Sequence, residues 1–173
     1  MKRLALIRHA KSSWKDPNCA DFDRPLTKRG KADAVAAGRW FAERRVQPSL
    51  IVASPAKRAI ATLKRIVVEM GLPEKKIVRV GRLYEADSRD LLDFVREIDD
   101  SHDECMLCGH NPALTDFCNY LAGYTFDNLP TCGVIIIDVM VDTWRDVQHG
   151  SGRILSWNRP RKTHRSDVVP ADH

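Results

Sequence analysis

No stretch of this sequence is apolar for long enough to cross a membrane: the run at Gly133–Ile137 falls far short of the roughly 20 residues that a spanning helix needs. A secretory leader is not expected, because Arg8 and His9 interrupt the apolar stretch Leu4–Ile7 behind the basic Lys2-Arg3. A disulfide framework is also missing. The five cysteines (Cys19, Cys105, Cys108, Cys118, Cys132) are odd in number and irregularly spaced, which points to a reducing, cytoplasmic setting. Cys105 and Cys108 form one C-x-x-C pair, yet no second pair or nearby His-x-x-x-His completes a zinc set. They read as small apolar residues of a buried strand. No internal repeat and no linker divides the chain.

What is present is the composition of a globular protein, 43% apolar and 29% charged over 173 residues, enough for one domain with a sizeable core. Lysines and arginines number 28 against 23 acids, a net charge of +5 that invites a polyanionic partner. Position along the chain argues otherwise. From Ser151 onward Arg153, Arg159, Arg161, Lys162 and Arg165 face only Asp167 and Asp172, so the preceding 150 residues carry 23 bases and 21 acids. A body so nearly neutral has no broad footprint for a nucleic-acid backbone, and neither nucleic acid nor a membrane is expected as a partner.

Apolar periodicity predicts strands alternating with helices. Leu4–Ile7 is a short continuous apolar run of the kind covered on both faces, Leu50–Ala53 reads as a second buried strand, and Ile77–Val80 and Cys105–Cys108 as a third and a fourth short strand. Between them, a helix capped by Thr27 carries Ala32, Val35, Ala36 and Trp40 at helical spacing. Ser54-Pro55 reads as cap and first turn of a second helix reaching about Met70, and Ser88–Ile98 is a third with Leu91, Leu92, Val95 and Ile98 on one face. Ala113–Leu121 is a fourth; Gly133–Val141 is a strand expected to pair with one near Arg153–Trp157. The pattern predicts an α/β fold, a three-layer α/β/α sandwich with a mostly parallel central sheet, filling residues 1–158 as a single domain. Residues 159–173, rich in Arg, Lys, Pro and Asp, are expected to form a basic, poorly ordered tail.

In such sheets ligands gather beyond the carboxyl ends of the strands. Arg8-His9, Ser54-Pro55 with Arg58, Tyr84-Glu85 and His110-Asn111 each follow one of the four predicted parallel strands, so two arginines, two histidines and a carboxylate converge on one edge. One strand-end histidine alone would read as a satisfied polar residue; the convergence points to a site for an anion.

These residues carry a family resemblance. Leu6-Ile7-Arg8-His9-Ala10 resembles the Arg-His-Gly signature of the histidine phosphatase (phosphoglycerate mutase-like) superfamily, with alanine in place of the usual glycine. Arg24-Pro25-Leu26-Thr27, Ser54-Pro55-Ala56-Lys57-Arg58-Ala59 with Thr62, Leu83-Tyr84-Glu85-Ala86 and Gly109-His110-Asn111-Pro112 follow in the family's order. The short chain and the lack of a large insertion between Arg58 and His110 look most like the small phosphohistidine phosphatase (SixA-type) branch. The resemblance implies that His9 is transiently phosphorylated while Arg8, Arg58 and His110 hold the phosphoryl group, with no metal and no other cofactor.

The side chains suit that chemistry. Phosphoryl transfer is mainly positioning and charge stabilisation, and guanidinium forks match phosphate oxygens. A neutral imidazole can attack phosphorus, and His110, if protonated, would add a third cation. Glu85 is the candidate proton donor for a leaving oxygen, the alternative being a carboxylate that orients an arginine. Asp16, Asp21 and Asp23 read as rival acids or as solvated loop charge. Arg24 reads as a phosphate or substrate contact or as half of a salt bridge. Asn111 reads as an anion ligand or a helix cap, and Trp14 as a pocket wall, a docking residue or core packing. The expected substrate is a phosphohistidine protein, with a small phosphate ester or anhydride as the alternative and a non-catalytic phosphate-binding module as a third reading. Inserted segments that would shield a mutase intermediate from water are lacking.

Overall fold

The computed structural model describes residues 1–123 and 125–161. The expected tail beyond Arg161 lies outside them. Six strands, β1 (Lys2–Arg8), β2 (Leu50–Ala53), β3 (Ile77–Arg79), β4 (Glu104–Gly109), β5 (Val134–Val139) and β6 (Gly152–Asn158), form one sheet in the order β3-β2-β4-β1-β5-β6. β3, β2, β4 and β1 run parallel, whereas β5 is antiparallel to β1 and β6 to β5.

Right-handed crossovers that step in opposite directions along a sheet place their helices on opposite faces. From β1 the chain steps outward through α1 (Lys28–Glu43) to β2 and through α2 (Lys57–Glu69) to β3, then turns back through α3 (Ser88–Arg96) to β4, between β2 and β1. That reversal opens a crevice at the carboxyl ends of β1, β2 and β4. Leu4 and Leu6 of β1 pack in a core with Val95 of α3 and with Leu114 and Phe117 of α4 (Ala113–Ala122); Ala5 and Ile7 pack in a second with Phe41 of α1 and with Leu63 and Ile66 of α2. A strand covered on both sides must be apolar at every position, which is why Leu4–Ile7 and Cys105–Cys108 are continuous apolar runs, whereas the edge strand β3 leaves Val78 and Arg79 exposed. Each fully buried leucine or isoleucine contributes about 1.5–3 kcal/mol.

Two local expectations are corrected. In α1 the buried positions are Gly30, Ala34, Ala37, Gly38 and Phe41, while Ala32 and Ala36 face solvent. An alanine-rich helix shows two plausible stripes, and the one with glycines wins because it lets backbones touch: a Cβ on Gly38 would lie 2.7 Å from Glu69 Cβ and 2.8 Å from the Ile66 carbonyl. α2 starts at Lys57 rather than at Pro55, so Ser54 does not cap it. Cys105 and Cys108 are buried apolar residues of β4 as expected, their side chains in cores on opposite faces of the sheet, so the pair cannot share a ligand. Thr27 caps α1 as expected, its hydroxyl accepting from Gly30 N at 3.0 Å, and Asp87 with Asp90 forms a capping box at α3.

Candidate active site

His9 sits one residue past β1, clamped through its backbone: its N–H donates to the Gly109 carbonyl (3.1 Å) and its carbonyl accepts from Cys132 N (3.0 Å). Its ring is buried, with Nδ1 2.7 Å from the Ala10 carbonyl. A carbonyl only accepts, so Nδ1 carries the proton and Nε2 holds a free lone pair. Arg58, in the first turn of α2, donates its Nε–H toward that Nε2 at 3.4 Å. Thr62, one turn on and fully buried, ties the two elements: its hydroxyl accepts from Ala10 N (2.9 Å) and donates to the Arg58 carbonyl (2.7 Å).

His110 follows β4 and faces His9 with ring centroids 5.2 Å apart. Its Nε2 lies 2.7 Å from the hydroxyl of Ser54, which also accepts from Ala56 N at 3.3 Å. Arg8 ends β1 and donates Nη1 to the Leu129 carbonyl at 2.9 Å. Arg8 Nε and His110 Nδ1 are buried polar atoms without a protein partner.

Burial sets the charge state. Desolvation, followed by the guanidiniums of Arg58, Arg8 and Arg24, pushes the His9 imidazole down to about 4. Desolvation and then the His9, Arg58 and Arg24 charges push His110 down to about 3. The third cation expected of His110 is therefore absent at neutral pH, because a buried ring among fixed positive charges does not take up a proton. The third guanidinium whose charge reaches both rings is that of Arg24.

Arg24 is buried and joins the site through Asp21. The Asp21 carboxylate accepts from Arg24 Nε (3.1 Å), Arg58 Nη2 (3.2 Å) and the Tyr84 hydroxyl (2.6 Å), and its backbone carbonyl accepts from Arg58 Nη1 (2.7 Å). Arg24 also donates Nη1 to Ser12 Oγ at 2.5 Å and stacks under the Trp14 ring, 3.6 Å from its centroid. The Tyr84 hydroxyl, with help from Arg58 and Arg24, holds Asp21 down at about 2, so Asp21 is neither solvated loop charge nor a proton donor at neutral pH. The sequence offers Asp21 only as a rival acid or solvated charge, since nothing in the loop distinguishes it from Asp16, which caps a local turn at Asn18 N, or from exposed Asp23. Ser54 is placed at this edge by the sequence, but its contact with His110 is not, because the Ser-Pro pair reads as a helix start.

The remaining candidates divide. Trp14 is 76% exposed, which rules out core packing, and Phe22, also exposed, meets the Tyr84 ring edge-on at 5.1 Å. Asn111 is fully engaged in structure: Nδ2 donates to Asn128 Oδ1 (2.8 Å) and the Leu129 carbonyl (2.9 Å), while Oδ1 accepts from Thr115 N and Oγ1 (3.2 and 3.0 Å). Glu85 follows Tyr84, is exposed, and makes no side-chain hydrogen bond or ion pair among the described residues. Three guanidiniums, one carboxylate and two neutral imidazoles give the cluster a net charge of +2.

Comparison with known proteins agrees. The family model of the histidine phosphatase superfamily (branch 1) matches residues 4–92, from β1 into α3. The chain belongs to this superfamily. Among solved structures, the Agrobacterium tumefaciens protein assigned as phosphohistidine phosphatase SixA is 28% identical with a TM-score of 0.79, over 92% of this chain and 98% of that one. A mycobacterial glucosyl-3-phosphoglycerate phosphatase has the same fold at 16% identity and a TM-score of 0.67, over 92% of this chain and 99% of that one. An uncharacterised chloroplastic protein of Arabidopsis thaliana is 29% identical over 87% of this chain and 72% of its own. The histidine phosphatase sheet thus brings Arg8, His9, Arg58 and His110 to one edge, with Arg24 and Asp21 as a second layer beside them.

Proposed function

We propose that this histidine phosphatase hydrolyses phosphorylated substrates through a phosphohistidine intermediate on His9, and that its substrates are phosphohistidine proteins. The observation that carries the mechanism is the tautomer of His9: with Nδ1–H donated to Ala10, the Nε2 lone pair lies among the guanidiniums of Arg8 and Arg58. Nε2 attacks phosphorus, the bond from phosphorus to the leaving atom breaks, and the leaving atom takes a proton. Water then attacks phosphorus, yields its proton to a base, and breaks the N–P bond to release phosphate. Arg8, Arg58 and His110 would meet the phosphoryl oxygens, and the unpartnered Arg8 Nε and His110 Nδ1 support this assignment. Because cationic side chains neutralise the developing charge, the scheme needs no metal.

Glu85 is the proposed proton donor and later base. It follows Tyr84, whose ring meets His110 edge-on at 5.9 Å, and no ion pair or hydrogen bond among the described residues engages its carboxylate. The exposed Trp14 and Phe22, which lie against Arg24 and Tyr84, favour a side chain presented on a protein surface. A small phosphate ester is the second reading, favoured by the free carboxylate, which an imidazole leaving group needs less than an alkoxide does.

A panel of substrates tests both. Expected are hydrolysis of an aryl phosphate in the presence of a chelator and a higher kcat/KM for a phosphohistidine protein than for alkyl phosphates. Glu85→Gln should slow alkyl esters about 10²–10⁴-fold, the range of general acid catalysis, and phosphohistidine by far less. Equal losses on every substrate would remove Glu85 from the proton-transfer role, and a preference for alkyl esters would favour the second reading.

A further inference from the structure

Asp21 engages Arg58 in a specific way. A guanidinium has two useful edges: a terminal edge bearing Nη1 and Nη2, and a side edge bearing Nε and Nη2. Asp21 takes the terminal edge, with its backbone carbonyl on Nη1 at 2.7 Å and its carboxylate on Nη2 at 3.2 Å. What remains is the side edge, whose Nε faces His9 Nε2. The same carboxylate is held by Tyr84 from the β3–α3 connection and by Arg24 from the loop before α1, so three segments fix its place.

Building on the phosphatase reading, we propose that Asp21 is the positioning residue of the site: it presents the side edge of Arg58 to the phosphoryl group on His9 and offsets one of three arginine charges, so that the pocket matches a phosphate dianion. Asp21 acts through Arg58 and touches no reacting atom. The arrangement separates two effects that removing its charge would have. Loss of the clamp lets the Arg58 fork rotate, which harms the transition state, whose geometry is strict. Loss of a negative charge leaves the pocket more positive, which compensates ground-state binding of phosphate.

The test is Asp21→Asn, alone and combined with Arg58→Ala, read by kinetics on an aryl phosphate, competitive inhibition by inorganic phosphate, and the ¹H–¹⁵N signal of the Arg58 Nε–H. Expected are a kcat lowered at least tenfold, a phosphate inhibition constant within threefold of wild type, loss of the protected Arg58 Nε–H signal, and less than a twofold further effect of Asp21→Asn in the Arg58→Ala background. An unchanged kcat, a penalty that persists undiminished without Arg58, or an Arg58 Nε–H signal as protected in Asp21→Asn as in wild type would overturn the proposal. The Arg58 signal does not depend on turnover. A wild-type protein without phosphatase activity would count against the functional reading alone, while the signal would still decide whether Asp21 clamps Arg58.

Discussion

At the scale of single residues, two imidazoles are kept neutral by their surroundings, and that has a thermodynamic consequence. His9 and His110 have folded-state values of about 4 and about 3, below the roughly 6.5 of an unfolded histidine. Between these limits the unfolded chain binds more protons than the folded one, so stability rises with pH there and is lost as pH falls below about 6.5. The melting temperature should therefore be lower at pH 5 than at pH 7, and replacing both histidines by asparagine should reduce that drop by at least half. An equal drop in the double variant would show that other groups carry the linkage. The residues that departed from expectation did so because side-chain partners decide roles. Asn111 looks like an anion ligand from its place after His110, but its side-chain amide is engaged with Thr115, Asn128 and Leu129. Asp21 looked like loop charge until Tyr84, 63 positions away in sequence, came within 2.6 Å.

At the scale of elements, much was legible. The continuous apolar runs gave the buried strands, and Thr27 gave the start of α1, because burial on both faces and an orphaned N–H leave direct marks on composition. The phase of α1 was not legible, since alanine is compatible with either face and the choice rests on how closely other backbones approach. Gly30 makes this measurable. A Cβ there would lie 2.2 Å from the Lys11 carbonyl oxygen, in the loop that follows His9. Backbone cannot yield as a flexible side chain can, so Gly30→Ala should destabilise by about 1–3 kcal/mol, the cost of overpacking. Thermal melts should show a drop of several degrees, and kcat should fall as well because the loop carrying His9 shifts. A melting temperature equal to wild type would mean that α1 and the loop are less tightly apposed than described.

At the scale of the whole molecule, the topology explains how residues spread from position 8 to position 110 meet. Reversal of strand order at β4 brings the ends of β1, β2 and β4 side by side, and the rule that ligands bind there made His9, Arg8, Arg58 and His110 readable from the sequence before any distance was known. The overall charge of +5 was less informative than its local arrangement, in which Arg8, Arg24 and Arg58 are balanced to +2 by Asp21. That balance was hidden because it depends on long-range pairing. In the proposed mechanism this arrangement makes His9 Nε2 the phosphoryl acceptor. The most direct measurement is to mix the protein with an aryl phosphate, quench in alkali, where phosphohistidine survives, and locate the phosphoryl group by mass spectrometry and ³¹P resonance. Phosphate on His9, bonded at Nε2 and absent from a folded His9→Ala variant that no longer turns over, is the predicted result; phosphate on another residue, or undiminished turnover by His9→Ala, would contradict it.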